Sequence, residues 1–351
     1  MYFYENFFMR IFKLQILLIS LITLLSCNTA TSSTKSNENS TKSEKNMSQN
    51  LVRPPYLKEG DTIMIIAPAG VIKTKAFVER GKKLAESWGL KVIVGDAVFK
   101  KHHHFAATDE NRLKDLQRGL DNPSIKAVWA ARGGYGTVRI VDDLDFTKFK
   151  KNPKWIVGFS DLTVLHNKIN QLGFETLHAM MPVNLMAEAS KTKHTISTFK
   201  KAIFGENLSY SLPSSIYNKE GQVSGELVGG NLSILYSLVG TPLNIDTKNK
   251  IVFIEEVGEY LYHIDRMMIT LDKAGFFKDC KGIIVGDISR VRKNHPEFGN
   301  NLEEIVLEIV GKYNIPVCFD FPAGHEPDNR AIFIGRTIDM NITKQNVKIQ
   351  F

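Results

Sequence analysis

The segment Trp155-Ile156-Val157-Gly158-Phe159-Ser160-Asp161-Leu162 leaves its backbone little freedom. Its first half is a short apolar run suited to a strand covered on both faces, and a helical pattern over residues 162–172 follows with no connecting loop. A strand that turns straight into a helix belongs to α/β architecture. The same alternation recurs along the chain. Strand patterns at residues 61–67, 91–95 and 127–131 are interleaved with helical periods over 75–88 and 109–120, which predicts a parallel, doubly wound sheet for the first half.

Residues 190–219 are largely polar and read as an inter-domain linker. Beyond them, strand patterns at 225–228, 251–255, 282–285, 316–320 and 331–334 alternate with helical ones at 232–238, 262–274 and 302–312, predicting a second, mixed α/β unit. Two domains also suit the 351 residues, because single cores stop growing near roughly 250–300 residues. The expected division is a nucleophile domain over 54–189, the linker over 190–219 and a second domain over 220–351.

The N-terminus reads as an address. Arg10 and Lys13 precede a mostly apolar run over residues 14–25, which as a helix would be only about 18 Å long, short of the roughly 30 Å hydrocarbon core. That is the pattern of a secretory signal. It ends in Leu24-Leu25-Ser26-Cys27, which resembles a bacterial lipobox whose cysteine is acylated and becomes the new N-terminus. An ordinary cleaved signal is the alternative. Residues 28–50 are almost wholly Ser, Thr, Asn, Lys and Glu and cannot bury apolar surface. The expectation is a signal over 1–27, a polar tether over 28–53, and an exported protein lipid-anchored to a bacterial membrane, facing the periplasm or cell wall.

Composition narrows the function classes. With 43% hydrophobic and 23% charged residues, collagen-like, disulfide-scaffold and wholly disordered chains are excluded. The +8 charge, from 45 Lys+Arg against 37 Asp+Glu, is too small in a chain this long to point to nucleic acid. Cys27, Cys280 and Cys318 provide no disulfide framework, and the last two read as buried thiols.

The strand-to-helix turn at Ser160 has the character of a nucleophile elbow. It presents a hydroxyl at the carboxyl edge of the sheet, Gly158 permits the tight approach, and the Asp161 N–H points at an oxyanion. Ser160 could equally N-cap the helix. Arg132-Gly133-Gly134-Tyr135-Gly136, at the end of another strand, fits neither the Walker pattern nor G-x-G-x-x-G. Its alternative reading is a second oxyanion donor beside the serine. A serine nucleophile needs a base and the base an orienting acceptor. His325 follows one strand pattern in the second half and Glu255 ends another, with Glu256, Glu259 and Asp265 as rival carboxylates. His102-His103-His104 reads as solvated loop, since adjacent residues cannot all face one ion; no metal is expected.

Seven ordered motifs carry a resemblance. They are residues 60–69 (Gly-Asp-Thr-Ile…Ala-Pro-Ala), 105–112 (Phe-Ala-Ala-Thr-Asp-Glu-Asn-Arg), 132–136, 158–161 (Gly-Phe-Ser-Asp), 229–232 (Gly-Gly-Asn-Leu), 255–266 (Glu-Glu-Val-Gly-Glu…Ile-Asp-Arg) and 322–325 (Pro-Ala-Gly-His). Together they resemble the LD-carboxypeptidase family of serine peptidases, which contains murein tetrapeptide carboxypeptidase and the microcin C immunity peptidase. The resemblance spans residues 54–351. It implies a Ser160–Glu255–His325 triad, an oxyanion hole from Asp161 with Gly133 or Gly134, and release of the terminal D-alanine of murein tetrapeptides through an acyl-enzyme, without a cofactor. It implies a flavodoxin-like, class I glutamine-amidotransferase-like first domain, a swivelling β/β/α second domain, and a homodimer acting on peptidoglycan stem peptides.

Candidate substrate contacts are Arg132, Tyr135, Asn231 and Arg266, with Arg132 and Arg266 both open as partners of the terminal carboxylate. Two departures from the family pattern stand near such contacts: His178-Ala179-Met180-Met181, where relatives read His-Gly-Pro-Met, and His263 in place of a common arginine. The rival readings are an immunity-type peptidase that cleaves peptidyl or aminoacyl nucleotides, and a non-catalytic lipoprotein that binds wall peptides.

Overall fold

The computed structural model describes residues 51–351; the signal-like segment, Cys27 and the tether up to residue 50 lie outside the described residues. The first half supplies strands β1 (Thr62–Ile66), β2 (Lys91–Val94), β3 (Ile125–Ala130), β4 (Trp155–Gly158) and β5 (Thr176–His178), with helices α1 (Lys75–Glu86), α2 (Asp109–Asp121), α3 (Thr147–Lys151) and α4 (Thr163–Gln171). The second half continues with α5 (Lys193–Phe204), β6 (Ser209–Pro213), β7 (Gly221–Asn231), α6 (Leu232–Ser237), β8 (Ile251–Val257), α7 (Leu261–Lys273), β9 (Gly282–Ser289) and α8 (Leu302–Val310). Four short strands close the chain: β10 (Val317–Cys318), β11 (Ile332–Ile334), β12 (Thr337–Ile342) and β13 (Asn346–Gln350).

The first sheet runs β11-β5-β4-β3-β1-β2, and its strands from the first half are mutually parallel. Their unbroken apolar character follows from burial on both faces. Ile63, Ile65, Trp129 and Val157 enter one core, while their neighbours Met64, Ile66, Val128 and Ile156 enter another. The second sheet runs β10-β9-β8-β7-β12-β13-β6, parallel from β10 to β7 and antiparallel beyond. β7 serves both parts: Gly221–Glu226 pairs with β12 and Leu227–Asn231 with β8. The fold is therefore a two-domain α/β arrangement with mixed sheets.

Two expectations are corrected. The first sheet is not wholly parallel, because β11, from the far end of the chain, pairs antiparallel with β5. Arg336, just beyond it, donates through Nε to the buried Glu175 carboxylate at 3.0 Å. The segment 190–219 is not a plain linker. It holds α5 and β6, with Phe199 of α5 fully buried 5.2 Å from the Trp129 ring and 5.5 Å from Trp88. Its outer face is polar, so its composition concealed a helix that covers the sheet through Thr195, Phe199, Ala202 and Ile203.

Candidate active site

β4 delivers Ser160 at its carboxyl end with φ +63, a left-handed conformation that a side chain other than glycine adopts at a cost. Gly158 makes the turn possible: a Cβ there would stand 2.9 Å from Leu162 Cγ and 3.2 Å from Ala130 Cβ. Ser160 opens a single 3-10 turn that runs into α4, and its side chain makes no capping hydrogen bond to either. The cap alternative is not realised, and the hydroxyl is left facing a cavity. The neighbouring Asp161 carboxylate is buried and accepts from the Thr137 N–H at 2.8 Å, tying the serine turn to the chain after the glycine loop.

That loop lies against the serine. A Cβ on Gly133 would fall 3.0 Å from Ser160 Cβ, 3.2 Å from its Oγ and 3.4 Å from the Asp161 amide nitrogen. The loop is held from below. The Gly133 carbonyl accepts from Gly70 N–H at 3.0 Å, and Arg132 Nη1 donates to the Val71 carbonyl at 2.7 Å. Gly134, at φ +109, packs its backbone on Gly70.

From the second sheet, β8 carries Glu255 with no exposed surface, and its Oε2 lies 2.7 Å from His325 Nδ1. Local pattern alone left four carboxylates open for this position and the resemblance chose Glu255; the structure places the other three elsewhere. Glu256 accepts from the Ser233 and Val257 amides at 2.7 and 2.8 Å and from Asn231 Nδ2 at 3.2 Å. Glu259 pairs with His263 at 2.5 Å. Asp265 stands on α7, where burial and then Glu308 raise its pKa. Burial favours the neutral His325 imidazole, but the Glu255 carboxylate and its hydrogen bond outweigh that, Glu256 adds to them and Arg290 opposes, so the His325 pKa is raised above 6.5.

Ser160, His325, Arg132, Gly133, Gly134 and Arg290 line one cavity of about 500 Å³. Ser160 Oγ makes no direct hydrogen bond to the His325 ring among the described residues. Beneath the turn, His166 Nε2 sits 2.9 Å from the Gly158 carbonyl, and the fully buried His178 packs its ring 5.6 Å from Phe159 and 5.0 Å from Phe253. Burial, reinforced by His166 and His325, holds His178 neutral.

The remaining sequence candidates separate. Arg132 is in the cavity wall. Arg266 is exposed on α7 with its guanidinium 5.4 Å from the Tyr262 ring, outside that wall. Asn231 is buried and caps α6, accepting from Ile234 N–H at 3.2 Å while it holds Glu256. Tyr135, 48% exposed, packs its ring tilted against Phe105 and His104 rather than lining the cavity. Arg290 was missed. The strand ahead of it was expected to end at residue 285 but runs to Ser289, and the arginine follows at φ +53. The polar tail Asp287-Ile288-Ser289 broke the apolar pattern, so nothing marked residue 290 as a strand end.

Known proteins resemble this chain in both halves. Residues 63–179 match the model of the LD-carboxypeptidase N-terminal domain and residues 224–340 that of the LD-carboxypeptidase C-terminal domain. The chain is 34% identical over 301 residues to a probable murein peptide carboxypeptidase of Bacillus subtilis, covering 85% of this chain and 94% of that one. It is 28% identical over 285 residues to the murein tetrapeptide carboxypeptidase of Pseudomonas aeruginosa, covering 78% and 91%. The crystal structure of muramoyltetrapeptide carboxypeptidase from Oxalobacter formigenes superposes with TM-score 0.75 at 29% identity, over 82% of this chain and 98% of that one. The microcin C7 self-immunity protein MccF shares the fold at TM-score 0.78 and 22% identity, over 86% and 98%. With both domain models matched in order and a relative above 30% identity aligned over most of its length, the chain belongs to the LD-carboxypeptidase family of serine peptidases.

Proposed function

We propose that this enzyme hydrolyses the L,D-peptide bond that releases the terminal D-alanine of murein tetrapeptides, through a Ser160–Glu255–His325 triad and an acyl-enzyme. The observation that carries the reading is the 2.7 Å bond from buried Glu255 to His325, whose ring lines the same cavity as the strained Ser160. Glu255 fixes the tautomer with the proton on Nδ1 and leaves Nε2 free to accept the serine proton. Ser160 Oγ attacks the carbonyl, and His325 returns the proton to the leaving amine. Water, deprotonated by His325, then cleaves the ester. The Gly133 or Gly134 amide and the Asp161 amide would bind the oxyanion.

An exopeptidase must also recognise a free carboxylate, which suits a cation on the cavity wall. Arg132, already steadied by Val71, is well placed for this. Five parallel strands in the first sheet support the flavodoxin-like reading of that half, and the swivelling description of the second belongs to the same proposal. Acylation of Cys27, export and pairing as a homodimer complete it, placing the enzyme beside the wall peptides it trims.

Likeness to MccF in fold supports a second reading, cleavage of aminoacyl or peptidyl nucleotides. Digestion of purified muropeptides, followed by mass spectrometry, tests the first. The parent should convert tetrapeptides to tripeptides and Ser160→Ala should not. Trimming by the alanine variant at the parent's rate would refute the mechanism. Cleavage of a nucleotide conjugate in preference to the tetrapeptide would favour the second reading.

A further inference from the structure

The amino edge of the first sheet, at the other end of β4 from Ser160, holds a small pocket of about 160 Å³. Its wall includes Pro55, Pro123, Lys126, Lys151, Asn152 and Pro153 and, among the described residues, no carboxylate. A third lysine lies behind that wall. Lys154, next after Pro153, is 1% exposed, and its Nζ donates to the Asn122 carbonyl at 2.6 Å. Lys126 Nζ donates to the adjoining Pro123 carbonyl at 2.8 Å. Each of these ammoniums thus makes one hydrogen bond where it has three N–H groups to give.

Countercharge is missing as well. Among the described residues none of the three lysines is in an ion pair, and Asp121, the acid that acts on Lys154, is taken by Lys148 at 3.2 Å and Gln117 at 2.8 Å. Burial and then Lys126 lower the Lys154 pKa to about 8, against Asp121. Residues 148–154 carry four lysines and no acid. A buried ammonium beside a second one is costly, and an anion with several acceptor oxygens relieves both.

The chain enters the fold at this same edge. Val52 N–H donates to the Gly173 carbonyl at 2.8 Å, ahead of β5, and Pro55, in the pocket wall, accepts through its carbonyl from Trp155 Nε1 at 3.1 Å, at the start of β4. Residues 1–50, with the signal-like segment, Cys27 and the polar run, join it there.

We propose that this edge docks on an anionic lipid surface, with a headgroup phosphate in the pocket among Lys126, Lys151 and Lys154. A phosphate brings the charge and the acceptor oxygens that the three ammoniums lack, and lysines beside a membrane anchor are drawn to anionic lipid. The docking rests on the lipid-anchored reading for its membrane, and it turns Ser160, at the far end of β4, away from the lipid.

The test uses the full chain with Cys27→Ala as parent, so that no acyl chain contributes. Affinity is measured for vesicles of phosphatidylcholine alone and of equimolar phosphatidylcholine and phosphatidylglycerol. The parent should prefer the anionic vesicles, and deuterium exchange at residues 124–126 and 150–152 should slow on them. Lys126→Gln/Lys151→Gln should melt as the parent does yet bind them roughly tenfold to thirtyfold more weakly, at about fivefold for each lysine near an anionic surface. Lys273→Gln/Lys278→Gln removes the same charge from the far side of the second sheet's helices and should change binding by less than about twofold, because screening confines the attraction to lysines at the surface. Equal binding of the parent and the pocket variant, or an equal loss in the control, would overturn the proposal. Saturable binding of inorganic phosphate that needs the two lysines, with vesicle binding indifferent to them, would assign the pocket to a free phosphate and overturn the docking. The mass of the exported protein reads acylation separately: an unmodified Cys27 defeats the anchor reading, while lysine-dependent vesicle binding still supports this surface.

Discussion

Gly133→Ala tests the site with one methyl group. The added Cβ would lie 3.0 Å from Ser160 Cβ, 3.2 Å from Ser160 Oγ and 3.4 Å from the Asp161 nitrogen. It would enter the space where the oxyanion must form. Gly133 is not among the glycines with positive φ, so alanine meets no backbone penalty there. Its stability cost is confined to the 3.0 Å contact, partly offset by the roughly 0.4–1 kcal/mol gained from restricting the unfolded chain. Loss of one oxyanion donor costs about 10²–10³ in kcat, and a methyl that also crowds the nucleophile should do at least that. The neighbouring Gly134→Ala differs in kind: φ is +109 and its Cβ would strike the Gly70 backbone at 3.1 Å, so this variant should lose stability first. D-alanine release under saturating tetrapeptide, paired with thermal melts, reads both. The expected pattern for Gly133→Ala is a Tm within about 4 °C of the parent and a kcat at least about a hundredfold lower. A rate within twofold of the parent would refute the placement of the oxyanion beside this loop.

Other outcomes follow from the same geometry. Ser160→Gly and Ser160→Ala should both be inactive, but the glycine variant should melt higher, because it relieves the left-handed backbone at a net gain of up to about 1 kcal/mol; equal melting temperatures would argue against strain at the turn. Glu255→Gln should lower kcat by about 10³–10⁴-fold. It should also move the acid limb of kcat/KM to lower pH: His325 must be neutral to accept the serine proton, Glu255 raises its pKa above 6.5, and removing that charge lets the neutral form persist to lower pH. A pH–rate profile with an unmoved acid limb would refute that coupling. Arg132→Ala should raise KM for tetrapeptides by at least about tenfold, while Arg266→Ala, outside the cavity, should leave kcat/KM within twofold; the opposite ranking would exchange their roles.

What the sequence made legible was local. Trp155-Ile156-Val157-Gly158 had to be a covered strand, and the absence of a loop before the helix forced a sharp turn at Ser160, now seen at φ +63. Local pattern alone left the carboxylate partner of His325 open between the adjacent Glu255 and Glu256, and the motif resemblance chose Glu255, which the structure sets beside the imidazole while Glu256 accepts from the Ser233 amide. β6 and α5 escaped notice since each hides one apolar face behind polar neighbours. The pairing of β11 with β5 is a contact between residues more than 150 positions apart, for which no short-range pattern exists. Arg290 follows a strand whose apolar run breaks off at Asp287, with Asp287 and Ile288 half-buried and a buried serine at its end.

The crossing of β11 has a further consequence. His325 sits on the stretch between β10, in one sheet, and β11, in the other, so the base hangs on a strap sewn into both. The first five strands by themselves carry Ser160 but neither Glu255 nor His325, and the edge beside β5 is filled only by residues 332–334. Deleting the strap and β11 would take the imidazole and the edge strand together, so the base and the border of the first sheet share one short stretch of chain.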